Sequence, residues 1–291
     1  MLASIVVGAR TGVDSIRCEP WKRINSKCRM KKTLFSIRNL SFGLLAAVVM
    51  TTTSSQAIFS TNYGNFPGAN VSFLGVSEST ISESTPLYHY PVIAGNTIDF
   101  NPQGFGAFAT GLGGNDNTDG QLSLTLQANP LSAIPTINFW ELGDYSLIGS
   151  GGFGTLVDVT ANWYVNIIRV DGNLLASPVN INGTMPFTPN VSGTFFLPTN
   201  PGFGNLWGGS INIDLNNALT LAGVPFTYGA TEVRFTFDNE LNALSEFGTT
   251  ATIRKKDIQG SVGITVIVPE PTILALTLCG AGLLISRRSK H

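Results

Sequence analysis

One histidine, fifteen carboxylates and no cysteine set the limits on what chemistry residues 58–268 could perform. The histidine, His89, sits in Tyr88-His89-Tyr90, an alternation that reads as an ordinary surface or edge position of a strand. A Ser-His-Asp triad would have to use it, and no Gly-x-Ser-x-Gly elbow lies nearby. Without cysteine in this stretch, a Cys-His nucleophile and a thiolate zinc site are both excluded. Glu141 and Asp144, beside Trp140, could form a carboxylate pair for glycoside chemistry, which needs the groups roughly 5 to 9 Å apart. Turn residues following a strand account for them more simply.

The run Gly114-Asn115-Asp116-Asn117-Thr118-Asp119-Gly120 places oxygen ligands at Asn115, Asn117 and Asp119 ahead of a glycine, the first half of a calcium loop. Its second half is missing, because the position for the bidentate acid is Leu126, on an apolar strand face. A hairpin turn held by side-chain to backbone bonds is the commoner role of such a run. Calcium is thus the only cofactor the residues suggest. The aromatics Trp140, Trp163 and Trp207, with Tyr145, Tyr164 and Tyr228, could provide flat platforms for sugar rings, although large aromatics in sandwiches mostly fill the core. Trp207, in Asn205-Leu206-Trp207-Gly208-Gly209, has the least core around it by sequence and is the expected exposed platform.

The elements that must position these residues are strands. Residues 121–127 alternate with Leu122, Leu124 and Leu126 on one face, and residues 155–170 keep Val157, Val159, Ala161, Trp163, Val165 and Ile167 in one register. Residues 231–238 put Val233, Phe235 and Phe237 inward, and residues 261–268 form another apolar strand. Asp171-Gly172-Asn173 is the clearest hairpin signal. Helical spacing is confined to residues 216–222 and 240–247, a turn or two each. Abundant glycine argues against long helices. The fold class expected is all-β: a single β-sandwich over residues 58–268, jelly-roll-like, with ten or more strands.

Five Lys and Arg against fifteen Asp and Glu give this body a charge of about −10. That makes it a poor partner for nucleic acid, whose binding depends on phosphate neutralisation. The three cysteines, Cys18, Cys28 and Cys279, all lie outside the body, so no internal disulfide can staple it.

The two ends carry targeting signals. Lys31, Lys32 and Arg38 precede an apolar run at residues 40–50, and a Ser-x-Ala pattern ends at Ala57, so residues 30–57 read as a signal peptide cut between Ala57 and Ile58. Residues 1–29 lack an apolar run and read as an extension ahead of a start at Met30, or as an unusually long basic leader. At the other end, Pro269-Glu270-Pro271 precedes fifteen uncharged residues, 272–286, and then Arg287, Arg288 and Lys290. As a helix that stretch covers roughly 22 Å. It is a marginal membrane span that relies on the basic residues snorkelling on the cytoplasmic side.

The segment from Val268 to His291 resembles a PEP-CTERM sorting signal, through Pro269, Glu270 and Pro271, the span with Gly280 and Gly282, and the closing Arg287 and Arg288. The resemblance covers only this tail. It implies recognition by an exosortase-type sorting enzyme, transient anchoring in the inner membrane, processing near Pro269 to Pro271, and delivery to the cell surface or extracellular matrix. The expectation for the whole chain is therefore an exported, non-enzymatic surface or matrix protein. The alternative is a carbohydrate-binding or carbohydrate-active sandwich in the same compartment, with extracellular polysaccharide as its partner.

Overall fold

A computed structural model describes residues 58–268 as strands with one short helix. In chain order these are β1 Phe59–Pro67, β2 Val71–Thr80, β3 Val92–Ala94, β4 Thr97–Phe100, β5 Gly106–Thr110, β6 Gly114–Ala128, β7 Thr136–Gly149, β8 Leu156–Val170 and β9 Asn173–Thr184. There follow β10 Phe187–Thr188, β11 Thr194–Phe196, β12 Gly202–Asp214, α1 Leu215–Leu221, β13 Ala230–Ser245, β14 Thr249–Lys255 and β15 Val262–Ile267. Seven strands form one sheet, in the order β1-β2-β6-β13-β8-β11 with β9 also on β8. Eight form the other, β10-β12-β7-β15-β4-β3, with β14 pairing both β7 and β5. All pairings are antiparallel, and the two sheets make a β-sandwich.

The period-two reading holds where it was strongest. Leu122, Leu124 and Leu126 on β6, Val157, Val159 and Val165 on β8, and Phe235 and Phe237 on β13 are buried on the inner face of the first sheet. With Phe139, Tyr145 and Leu147 of β7 and Ile253 of β14 from the second sheet they belong to one hydrophobic core. Phe139 touches Phe235 and Phe237 across the sandwich at ring-centroid distances of 5.7 and 4.1 Å. Burying each such side chain stabilises the fold by about 1.5–3 kcal/mol, which is what holds a body without disulfides.

The turn at Asp171-Gly172 joins β8 to β9, with positive φ at both residues as a type I′ turn requires. The Asp171 carboxylate also accepts the backbone N–H groups of Thr227, Tyr228 and Gly229 at 2.6, 2.8 and 2.9 Å, tying the hairpin to the entry of β13.

Two helical expectations part company. The helix expected at residues 216–222 forms as α1, Leu215–Leu221, capped by Asp214, whose side chain accepts the N–H of Asn217. Residues 240–247 are not helical: β13 runs on to Ser245, with Leu241 and Ala243 buried in the same register as Phe235 and Phe237. Long-range pairing with β6 and β8 on both sides outweighs a weak local helical preference. Among the described residues no helix is long and apolar enough to cross a membrane. The expected span at residues 272–286 lies outside the described residues, as do residues 1–57.

A buried lysine, glutamate and asparagine between the sheets

Three strands each turn one polar side chain into the core. On β7 the inward register Ile137, Phe139, 141, 143, Tyr145, Leu147 places Glu141 in the interior. On β13 the register through Phe235 and Phe237 places Asn239 there, flanked across the ladders by the small residues Gly120 and Ala161. On β14 the register Ala251, Ile253 ends at Lys255. The side chains of Glu141 and Lys255 are wholly inaccessible to solvent.

They converge on one another. Asn239 Nδ2 donates to Glu141 Oε1 and Oε2 at 2.9 and 3.1 Å, and Lys255 Nζ donates to the same Oε2. The Asn239 carbonyl oxygen, Oδ1, is buried without a partner. Aromatic rings close the rest of the space around Nζ: Phe105 at 4.8 Å, Trp207 at 5.7 Å, and Tyr88 and Phe237 at 5.9 Å to the centroids. The backbone supports the arrangement, since Lys255 N–H donates to the Phe105 carbonyl at 2.9 Å. Lys255 is also where β14 leaves the flank of β7; the chain returns to β7 as β15, with Val262 opposite Glu141.

Removal from water governs the protonation of this group. Burial pushes the Glu141 carboxyl above its ordinary range, against the opposing pull of Lys255 and Asn239. Burial pushes the Lys255 amine below its ordinary range, against the pull of Glu141. Both shifts favour the uncharged acid and the uncharged amine.

The carboxylate pair expected from sequence is not a pair. Glu141 and Asp144 are three apart within β7, so they face opposite sides of the sheet, and neither lies in a turn. Asp144 binds Arg254 Nε at 3.0 Å and Lys256 Nζ at 2.5 Å on the outer side. Trp207 is likewise not an exposed platform: it is 2 % exposed and packs edge-on to Phe187. Trp163 is half-buried against the core, and Tyr145 is stacked on Phe195 inside it. Tyr164 and Tyr228 are exposed. Trp140 lies on the outer face of the second sheet, its ring over Gly263, where a Cβ would sit 2.2 Å from Cζ2, and its Nε1 donates to the Gly260 carbonyl at 3.0 Å.

Asn115, Asn117 and Asp119 are not in a loop but along β6, facing outward, opposite Leu244, Asn242 and Glu240 of β13. Same-face neighbours on a strand stand about 6.8 Å apart, so three in a row do not wrap one ion. Asn117 donates instead to Glu240 and Asn242, and Asp119 accepts from Ile81 N–H. Among the described residues no group of three or more His, Cys, Asp or Glu could hold a metal ion. His89 lies in the irregular segment between β2 and β3, not on a strand, with φ of 60°. Pro269, Glu270, Pro271, Arg287 and Arg288, expected to form a sorting signal, and Ala57 at the expected cleavage point lie outside the described residues, whereas Ile58 is the first of them.

No protein-family model matches the chain, and no curated protein matches it in sequence. Among solved structures it is similar to TmCBM61 in complex with beta-1,4-galactotriose, at 9% identity over 53% of this chain and 70% of that one, with a TM-score of 0.21. It is also similar to a loop-swap mutant of Necallimastix patriciarum Xyn11A, at 9% identity over 72% and 99% of the two chains, with a TM-score of 0.18. A third similarity, at 12% identity over 74% and 60% with a TM-score of 0.17, is to the infectious bursal disease virus Gx strain. At these scores none of the three bears on what the chain does.

Proposed function

We propose that this is an exported, non-enzymatic cell-surface or extracellular-matrix protein, whose jelly-roll-like sandwich is sorted through its PEP-CTERM tail by an exosortase-type enzyme. The observation that carries the reading is the junction between body and tail. β15 ends at Ile267, two residues before Pro269, and is paired on both sides, with β7 and β4. Every strand among the described residues thus ends before the Pro-Glu-Pro, and cutting there removes none of them. Transient anchoring of residues 272–286 in the inner membrane precedes the cut. The test is terminal peptide mapping of the protein from cells with and without the sorting enzyme. A product running from Ile58 to a point between Pro269 and Pro271, outside the inner membrane and dependent on that enzyme, is expected. Retention through His291 in both strains overturns it.

A second reading, binding of extracellular polysaccharide, is favoured by Trp140. Its ring lies across Gly263 on the outer face beside a shallow groove bordered by Leu142, Thr188, Val191 and Ser210. A flat aromatic next to hydroxyl groups suits a sugar ring. Co-sedimentation with the polysaccharide of the producing cells tests it; binding unchanged in Trp140→Ala counts against this face.

A further inference from the structure

We propose that Lys255 and Asn239 join through a covalent isopeptide bond formed by the folded protein itself, with Glu141 as the proton carrier. The three side chains supply each part such a reaction needs. Lys255 Nζ is the nucleophile, Asn239 Cγ is the electrophile, and the Glu141 carboxyl touches the nitrogen that attacks and the nitrogen that leaves through the same Oε2. The surrounding Phe105, Trp207, Tyr88 and Phe237 rings keep out the water that would otherwise compete for the carbonyl and stabilise a charged amine.

The step balances without any added reagent. The Nζ–Cγ bond forms and the Cγ–Nδ2 bond breaks. The Glu141 carboxyl gives its proton to Nδ2, which departs as ammonia, and takes one from Nζ in return, both through groups it already touches. Glu141 ends protonated as it began, so the net change is one amine and one primary amide converted to one secondary amide and ammonia. No oxidant, metal or nucleotide takes part. Because the reacting atoms are held on β13 and β14 of opposite sheets, the reaction waits for the sandwich to close and then fastens its two halves together. A plain buried ion pair explains Lys255 and Glu141, but it gives no reason for a primary amide with an unpartnered carbonyl oxygen at the same carboxyl.

The experiment is mass spectrometry of the full chain purified from the cells that make it, with the tryptic digest read as well as the intact mass. The bond lowers the mass by one ammonia, about 17 Da. It also blocks cleavage after Lys255 and yields residues 235–254 carrying a Lys255-Lys256 branch on Asn239, or residues 235–256 as a ring where Arg254 is left uncut. Glu141→Gln is expected to give residues 235–254 unbranched, as are Lys255→Met and Asn239→Ala. Unbranched residues 235–254 from the folded wild-type chain overturn the proposal. So does loss of ammonia with Lys255 free, which marks a succinimide at asparagine. Branching that persists in Glu141→Gln overturns the role given to Glu141. Since the wild-type digest alone decides whether the bond exists, a variant that fails to fold does not leave the question open.

Discussion

The Trp207 indole occupies the space that a side chain at Gly143 would need: a Cβ there would lie 2.1 Å from both Cε2 and Cζ2 of the ring. The two residues are paired between β12 and β7, and Gly143 is also opposite Lys255 on β14. One absent side chain therefore admits the ring that closes the lysine's surroundings. Gly143→Ala should displace the indole and destabilise the sandwich by about 1–3 kcal/mol, the usual cost of overpacking a core. Urea unfolding followed by tryptophan emission reads both effects together.

The bond proposed between Asn239 and Lys255 would close a loop of about 15 residues, which in the chain-entropy account of cross-links contributes about 3 kcal/mol. Lys255→Met keeps the volume apolar while removing the nucleophile. It should lower stability by at least that amount relative to a cross-linked wild type, measured by guanidinium unfolding. Equal midpoints for the two proteins would show that no bond constrains the wild-type chain.

Asp171 sets an acid-side dependence of its own. Partial burial works to raise its pKa, yet the three N–H groups of Thr227, Gly229 and Tyr228 hold the carboxyl below its ordinary value. A depressed folded-state pKa gives stability that is present above the unfolded value and is lost as pH falls through the folded one. Wild-type Tm should therefore fall more steeply than that of Asp171→Asn between about pH 5 and about pH 2. Parallel curves over that window would assign the acid response to other carboxylates.

Trp140 and Trp207 should respond in opposite ways to substitution. Trp207→Ala removes a buried ring and should cost about 3–5 kcal/mol of stability. Trp140→Ala removes a ring on the outer face and should leave Tm within a few degrees of wild type while weakening retention on polysaccharide. Thermal unfolding and co-sedimentation of both variants make the comparison.

Much of the sandwich is legible in the alternation of β6, β8, β13 and β15, because their inward positions are apolar for several repeats. The lysine site is not legible by that route, for the same reason. A polar residue in the inward register looks like the end of a strand, so Glu141-Leu142-Gly143-Asp144 reads as a turn and Asn239-Glu240 as the close of β13. Carrying the register through Phe139 to Tyr145 and through Phe237 to Leu241 would have left Glu141 and Asn239 as buried polar groups in need of partners. Their convergence depends on tertiary structure, since Glu141 lies 98 positions from Asn239 and 114 from Lys255. Asn115 to Asp119 misread as a turn because Asn, Asp and Gly favour turns locally, whereas ladders to β13 and β2 hold the strand.

The two ends of the sandwich are secured unequally. β15 lies inside its sheet, with neighbours on both sides, while β1 is an edge strand paired to β2 alone. After the proposed cut near Pro269, a carboxypeptidase working inward meets Ile267, held by β7 alone, and then Val266 and Thr265, held from two directions, so digestion stops within a residue or two of the strand. An aminopeptidase starting at Ile58 has only a single ladder to unzip. In a product processed as proposed, the final C-terminus is then set by the sheet as much as by the sorting enzyme, and any heterogeneity should accumulate at the N-terminus.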